Sequence, residues 1–289
     1  MITEIYDGLR RKKLIGADEC PPWNLLFSRQ TNIDIFPRSG KIFHVKVGNR
    51  MLLQHEYKAL QEAYSALPMH VAEPLALLSG NTIEYLVCRG IAHINARSST
   101  FHKNHPTLHN ALNGYFAKAA EKFKVEEPAS SHTERLADRL EQYVDSHKAG
   151  FRRYSQIINK HPSKIDSLPH IKQHGDFAPT NFGISKQGII IFDWEEFGKE
   201  EIPGYDLCVL IISSLDFDPS KISRFLSGNT NSPLFPIVRN FCTIYGITPE
   251  FFRGLLVLYA MLFLYSKEKA QYRSEAIERV RSLIEEMCN

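Results

Sequence analysis

The feature that most constrains this chain is a change of periodicity at Arg89-Gly90. Before it lie five short β-like runs, over residues 24–27, 33–36, 41–47, 73–78 and 82–88, and one helix over 50–67. The third run alternates, with Phe43, Val45 and Val47 on one face and Ile42, His44 and Lys46 on the other. Turn chemistry separates the runs, at Pro37-Arg38-Ser39-Gly40 and at Ser79-Gly80-Asn81. After Arg89-Gly90 the pattern is helical, over 107–123, 133–147, 151–159, 203–214, 249–267 and 272–287. Strands first and helices afterwards give an α+β class, with a domain at 1–89 and another at 90–289.

On the helix over 50–67, Leu53, Tyr57, Leu60, Tyr64 and Leu67 form one apolar stripe, and Glu56 lies beside it. A carboxylate turned inward needs a partner, because burying it unpaired costs several kcal/mol or more. Lys46 on the preceding strand is the candidate; the alternative is a helix-edge Glu in water.

Composition excludes several classes. With 43% hydrophobic and 23% charged residues the chain has material for a core, so disorder is excluded. A net charge of +3 does not make the basic face of a nucleic-acid protein, and the cluster at residues 10–13 reads as a solvated helix end. Five scattered cysteines without a Cys-x-x-Cys pair make neither a disulfide framework nor a zinc site and fit a reducing cytosol. His102, His105 and His109 lack the Cys or carboxylate that would complete a metal site. The first residues do not read as a signal peptide, and the apolar run at 255–265 is about half of the ~20 residues a membrane span requires. That run is expected to be a core helix, and the protein cytoplasmic without a membrane span.

One stretch carries chemistry: His174-Gly175-Asp176-Phe177-Ala178-Pro179-Thr180-Asn181. A hairpin follows, 182–184 and 189–192 with a four-residue loop, and ends at Asp193-Trp194-Glu195. Phosphoryl transfer needs one group on the attacking hydroxyl and oxygen ligands for magnesium. Asp176 suits the first role, as catalytic base. Asn181 and Asp193 suit the second, because the hairpin between them can fold both onto one ion. The alternative is that Asp176 and Asn181 merely cap turns.

These motifs, followed by Gly204-Tyr205-Asp206-Leu207, resemble the aminoglycoside phosphotransferase and choline kinase superfamily, in the family's order over residues 40–210. The resemblance implies a bilobal protein-kinase-like fold, with a small β-rich lobe and a larger helical one. It implies ATP-dependent phosphorylation of a hydroxyl on a small molecule, with Mg2+ as cofactor. Lys46 then resembles the lysine that holds the α- and β-phosphates, and Glu56 its helix partner. His174 resembles the brace of the catalytic loop and Asp206 its anchor. Leu86 to Cys88 resemble the segment whose backbone contacts adenine.

The chain departs from that pattern at Ser28-Arg29-Gln30-Thr31-Asn32, where a nucleotide-covering turn would carry glycine and this one has none. Arg29 is a candidate phosphate contact there. The missing glycine supports an alternative, a pseudokinase-like nucleotide-binding or regulatory protein with weak or no transfer activity. A protein kinase is disfavoured, because Trp194-Glu195 follows Asp193 where Phe-Gly would stand. Glu195, Glu196, Glu200 and Glu201 would suit a cationic acceptor such as an aminoglycoside or amino alcohol; a neutral sugar is equally compatible. The sequence does not choose between ATP and GTP or indicate an oligomeric state.

Overall fold

The computed structural model describes residues 1–18, 23–27, 31–36, 40–90, 94–95, 106–141, 148–185, 188–228, 232–270 and 275–288. The readings placed on Arg29 and the rest of 28–30, on the turn at 37–39, on His102 and His105, and on helix residues 142–147 lie outside the described residues. The chain forms two compact units. One comprises Met1–Asn95 and Phe182–Glu196; the other comprises Ala96–Asn181 and Phe197–Asn289.

The first unit is built on an antiparallel sheet. Its elements are α1 (Ile2–Arg11), β1 (Trp23–Phe27), β2 (Thr31–Ile35), β3 (Ile42–Gly48), α2 (Arg50–Ala66), β4 (Pro74–Ser79) and β5 (Glu84–Gly90), with strand order β1-β2-β3-β5-β4. The register places Val45 opposite Ile33 and Val87, and Lys46 opposite Asn32 and Leu86. Phe43 and Val45 pack with Ile33, Ile35, Tyr85 and Val87 in a core closed by Ile5 and Leu9 of α1. Burying each large apolar side chain contributes about 1.5–3 kcal/mol, which fixes the register and turns Lys46 to the opposite face. Thr31 and Asn32, expected in the glycine-free covering loop, are strand residues paired with Phe27 and Leu26.

The apolar face of α2 differs from the expected stripe. The buried positions are Leu53, Glu56, Ala59, Leu60 and Ala63, while Tyr57 and Tyr64 are half-buried. Alanines at 59 and 63 let the helix approach the sheet closely, and the tyrosines, with hydroxyls to hydrate, take its flank. Glu56 therefore sits in the middle of the buried face, not beside it.

A second sheet in the same unit joins β6 (Ile94–Asn95), β7 (Phe182–Ser185) and β8 (Gly188–Ile191) in that order. The residues following 93 thus begin with a strand where helix was expected. Ser185 pairs with Gly188, so the hairpin connection is two residues, not four. β8 is held from its other side as well: Ile191 N donates to His70 O at 2.8 Å, and Ala72 N to Ile191 O at 3.2 Å.

The second unit is helical: α3 (Pro106–Lys122), α4 (His132–Glu141), α5 (Lys148–Lys160), α6 (Pro162–Asp166), a 3-10 turn at Pro179–Asn181, α7 (Tyr205–Ser214), α8 (Pro219–Leu226), α9 (Phe235–Tyr245), α10 (Pro249–Lys269) and α11 (Glu275–Cys288). Residues Leu255 to Leu264 of α10 are all buried, the behaviour of a helix apolar all round at the centre of a unit. Among the described residues α10 is the one helix long and apolar enough to cross a membrane, and most of that stretch is buried inside the protein.

Candidate functional site

The sequence-predicted residues fall into two groups, one in each unit. In the sheet unit the group centres on Lys46, which is 7% exposed. Its Nζ lies 2.6 Å from Asp193 Oδ1, 2.8 Å from Glu56 Oε2 and 3.4 Å from Glu195 Oε2. The Glu56 contact is out of line for a hydrogen bond and is an ion pair by proximity alone, whereas Asp193 accepts a short, aligned one. Burial pulls the lysine's pKa down, but Asp193, Glu56 and Glu195 outweigh it, and Lys46 holds its proton above the ordinary range. Burial pushes the Glu56 carboxyl up; Lys46 opposes, Asp193 and Glu195 add, and the net direction is upward.

Local geometry aims Asp193. It adopts φ 63°, a left-handed conformation that costs a non-glycine residue about 1 kcal/mol, though Asp tolerates it better than most. The neighbouring Trp194 is fully buried and its Nε1 donates to Ile191 O at 3.1 Å, pinning the turn from below. Glu56, Asp193 and Glu195 bring one carboxylate oxygen each to within 4.8 Å of one another. Carboxylate oxygens are the hard donors that a divalent cation such as magnesium prefers.

Leu86 and Cys88 are buried on β5, opposite Lys46 and Leu77, and His44 and Pro74, respectively. With neighbours on both sides, their backbone groups face the sheet's own ladders. Burial pushes the Cys88 thiol well above the usual range, which makes it an unreactive side chain.

In the helical unit the group centres on Asp176. His174 is fully buried, and Gly175 takes φ 88°. That turn points two consecutive amides at one carboxylate: His174 N donates to Asp206 Oδ2 at 2.8 Å, and Gly175 N to Asp206 Oδ1 at 2.9 Å. Burial raises the pKa of Asp206, against the lowering influence of His174 and the two amides. Asp206 occupies the first turn of α7, whose N-cap Gly204 has φ 98° and packs so tightly that a Cβ there would lie 2.9 Å from Phe252. Phe177 stacks on Tyr115 at 5.0 Å and leaves its neighbour Asp176 only partly covered.

Asn181 donates from Nδ2 to Asp176 O at 2.7 Å and Oδ2 at 3.2 Å. Both partners only accept, so the amide's NH2 must face Asp176 and its carbonyl oxygen must face away. The second carboxylate oxygen, Asp176 Oδ1, lies 3.0 Å from Lys267 Nζ, which projects from the end of α10. No sequence signal connects Lys267 to Asp176.

The acidic run after Asp193 is used differently from the expected cationic attraction. Glu195 pairs with Lys46 in the sheet unit. Glu200 lies 3.1 Å from Arg139, and Glu201 pairs with Arg135 and with His170 at 3.1 Å, so both are engaged inside the helical unit.

No family model matches the sequence, and no curated protein matches it. Solved structures do match the fold over nearly the whole chain. The GDP complex of an aminoglycoside 2'-phosphotransferase-IIIa matches with a TM-score of 0.65 at 11% identity, over 99% of this chain and 98% of that one. The fold is kinase-like. Amicoumacin kinase hAmiN, in complex with AMP-PNP, Ca2+ and Ami, matches with a TM-score of 0.60 at 15% identity, covering 99% and 96%. A macrolide 2'-phosphotransferase type I matches with a TM-score of 0.60 at 12% identity, covering 98% and 96%. The α+β architecture expected from the sequence, a small antiparallel-sheet unit and a mostly helical one, is therefore the one found. It is the architecture of the solved phosphotransferase and kinase structures that this chain resembles.

Proposed function

We propose that the protein transfers the γ-phosphoryl group of ATP to a hydroxyl of a small molecule, with Asp176 as catalytic base. The observation that carries this reading is the holding of Asp176. Its loop is clamped through His174 and Gly175 to Asp206, and its carboxylate is fixed by the Asn181 amide. Such fixation orients a base toward one hydroxyl and is the form that general-base catalysis takes, worth roughly 10²–10⁴ in rate. The acceptor hydroxyl gives its proton to Asp176 as its oxygen bonds to phosphorus; the bond from phosphorus to the bridging oxygen breaks, and ADP leaves.

In this reading residues 1–89 bind the nucleotide and residues 90–289 carry the catalytic loop and the acceptor. Lys46, kept charged by Asp193 and Glu56, holds the α- and β-phosphates, and the strand carrying Leu86 and Cys88 lies on the adenine side. Asp193 and Asn181 would be the residues that hold magnesium. Bound magnesium would neutralise phosphate charge. The kinases and phosphotransferases that share the fold were solved with AMP-PNP, GDP and Ca2+, which supports a nucleotide with a divalent cation here.

ADP release with ATP and Mg2+, measured over sugars, aminoglycosides and amino alcohols, tests the proposal. At least one acceptor should raise turnover, and Asp176→Ala should lower it by roughly 10²–10⁴. Nucleotide binding without turnover on any acceptor would favour the non-transferring alternative.

A further inference from the structure

The Lys267–Asp176 pair bears on what the acceptor can be. Lys267 Nζ lies 3.0 Å from Asp176 Oδ1, and the lysine is only 21% exposed. Its ammonium also sits 5.3 Å from the ring of Phe263, one turn earlier on α10, which holds the side chain against the helix. The adjacent Glu268 is paired with Arg281 at 2.5 Å. Glu200 and Glu201 are likewise engaged with Arg139, Arg135 and His170.

Resting on the proposal that Asp176 is the base, we infer that Lys267 positions that carboxylate and sets the charge of the acceptor. The group next to the reacting hydroxyl is neutral or anionic, as in a sugar, polyol or hydroxy acid, and not an amine. A cationic acceptor reaching Asp176 would place a second positive charge within about 5 Å of Lys267. It would gain nothing from Asp176, whose charge the lysine already balances. For an amine on the Lys267 side of the pair, repulsion at that distance and at the effective dielectric of a partly buried site amounts to discrimination on the order of 10–100-fold. A hydroxyl there meets no such penalty, and a carboxylate on the Lys267 side of the pair would be drawn to the ammonium. The transfer step is that of the proposed reaction: the acceptor's proton goes to Asp176 and ADP departs.

The test compares acceptors of one skeleton that differ only in charge: a neutral sugar, its amino-sugar analogue and its uronic acid. kcat and KM are measured for the full-length protein and for Lys267→Met and Lys267→Arg, with thermal unfolding as a check on folding. The wild type should use the neutral or acidic compound with kcat/KM at least about 10-fold above the amine. Lys267→Met should lower kcat and erase or reverse that order, and Lys267→Arg should restore it. A wild type that prefers the amine, or a folded Lys267→Met that keeps the wild-type order, would overturn the inference while leaving the kinase reading intact. Absence of turnover on every acceptor would sink the kinase reading itself, and this inference with it.

Discussion

Asp206 ties the backbone amides of two consecutive residues, His174 and Gly175, to its two carboxylate oxygens. A single buried side chain on α7 thus sets the path of the loop that presents Asp176. Asp206→Ala leaves two buried amides without an acceptor, at about 1–3 kcal/mol each, and releases the loop. A lowered urea midpoint together with a turnover loss of at least about 100-fold is expected; Asp206→Asn, which keeps one acceptor oxygen, should lose less of both. An alanine variant with unchanged turnover would show that the clamp does not govern Asp176.

Lys46 sits against three carboxylates, and Lys46→Met removes the only cation among them in the described residues. Turnover with ATP should fall on the order of 100-fold. Stability should respond to pH in a defined direction. The Glu56 carboxyl is already pushed up, so the folded state binds its proton more readily than the unfolded state, and this favours folding at low pH. Without Lys46 the effect grows. The variant's loss of stability relative to wild type should be larger near about pH 8 than near about pH 5, as read by denaturant unfolding at each pH.

His132 is buried, stacks on His170 at 3.8 Å and points Nε2 at the carbonyls of Leu168 and Pro169. Burial, helped by the neighbouring His170, pushes its pKa down to about 4 from an ordinary 6.5. The folded state therefore prefers the neutral ring. The stabilisation is fully present above the unfolded value and is lost as pH falls from 6.5 through about 4, by up to about 3 kcal/mol. His132→Phe keeps a flat ring without a titrating proton. The variant should lose less stability than wild type between about pH 7 and pH 4; parallel curves would contradict the assignment.

Gly204 combines φ 98° with a packing gap that a Cβ would close to 2.9 Å from Phe252, 3.2 Å from Tyr259 and 3.3 Å from Phe241. These rings are buried and cannot swing away. Gly204→Ala should destabilise by about 2–4 kcal/mol, visible as a fall in Tm, through backbone strain and overpacking together. An unchanged Tm would mean that the start of α7 can shift, and with it Asp206.

Local signals account for much of this architecture. Alternation along β3 puts Lys46 on the face opposite Phe43 and Val45, and the spacing of His174, Asp176 and Asn181 marks the loop. The α8 and α10 starts were also written locally: Asp218 and Thr248 each precede a proline and cap their helix with a side-chain oxygen. Other features depend on contacts remote in sequence. Ile94–Asn95 is too short to show strand periodicity and exists because β7 supplies its partner. The face of α2 is set by how closely Ala59 and Ala63 allow the sheet to approach, which hydrophobicity alone misassigns to Tyr57 and Tyr64. The pairing of Glu200 and Glu201 depends on arginines at 139 and 135, and the contact of Lys267 with Asp176 on the packing of α10.

The most direct test of the central claim is phosphorus NMR of the protein with ATP, Mg2+ and an acceptor that stimulates ADP release. The account predicts a phosphomonoester resonance on the acceptor that grows in step with ADP, and its near-disappearance in Asp176→Asn. Growth of inorganic phosphate alone, or monoester formation by Asp176→Asn at the wild-type rate, would contradict it.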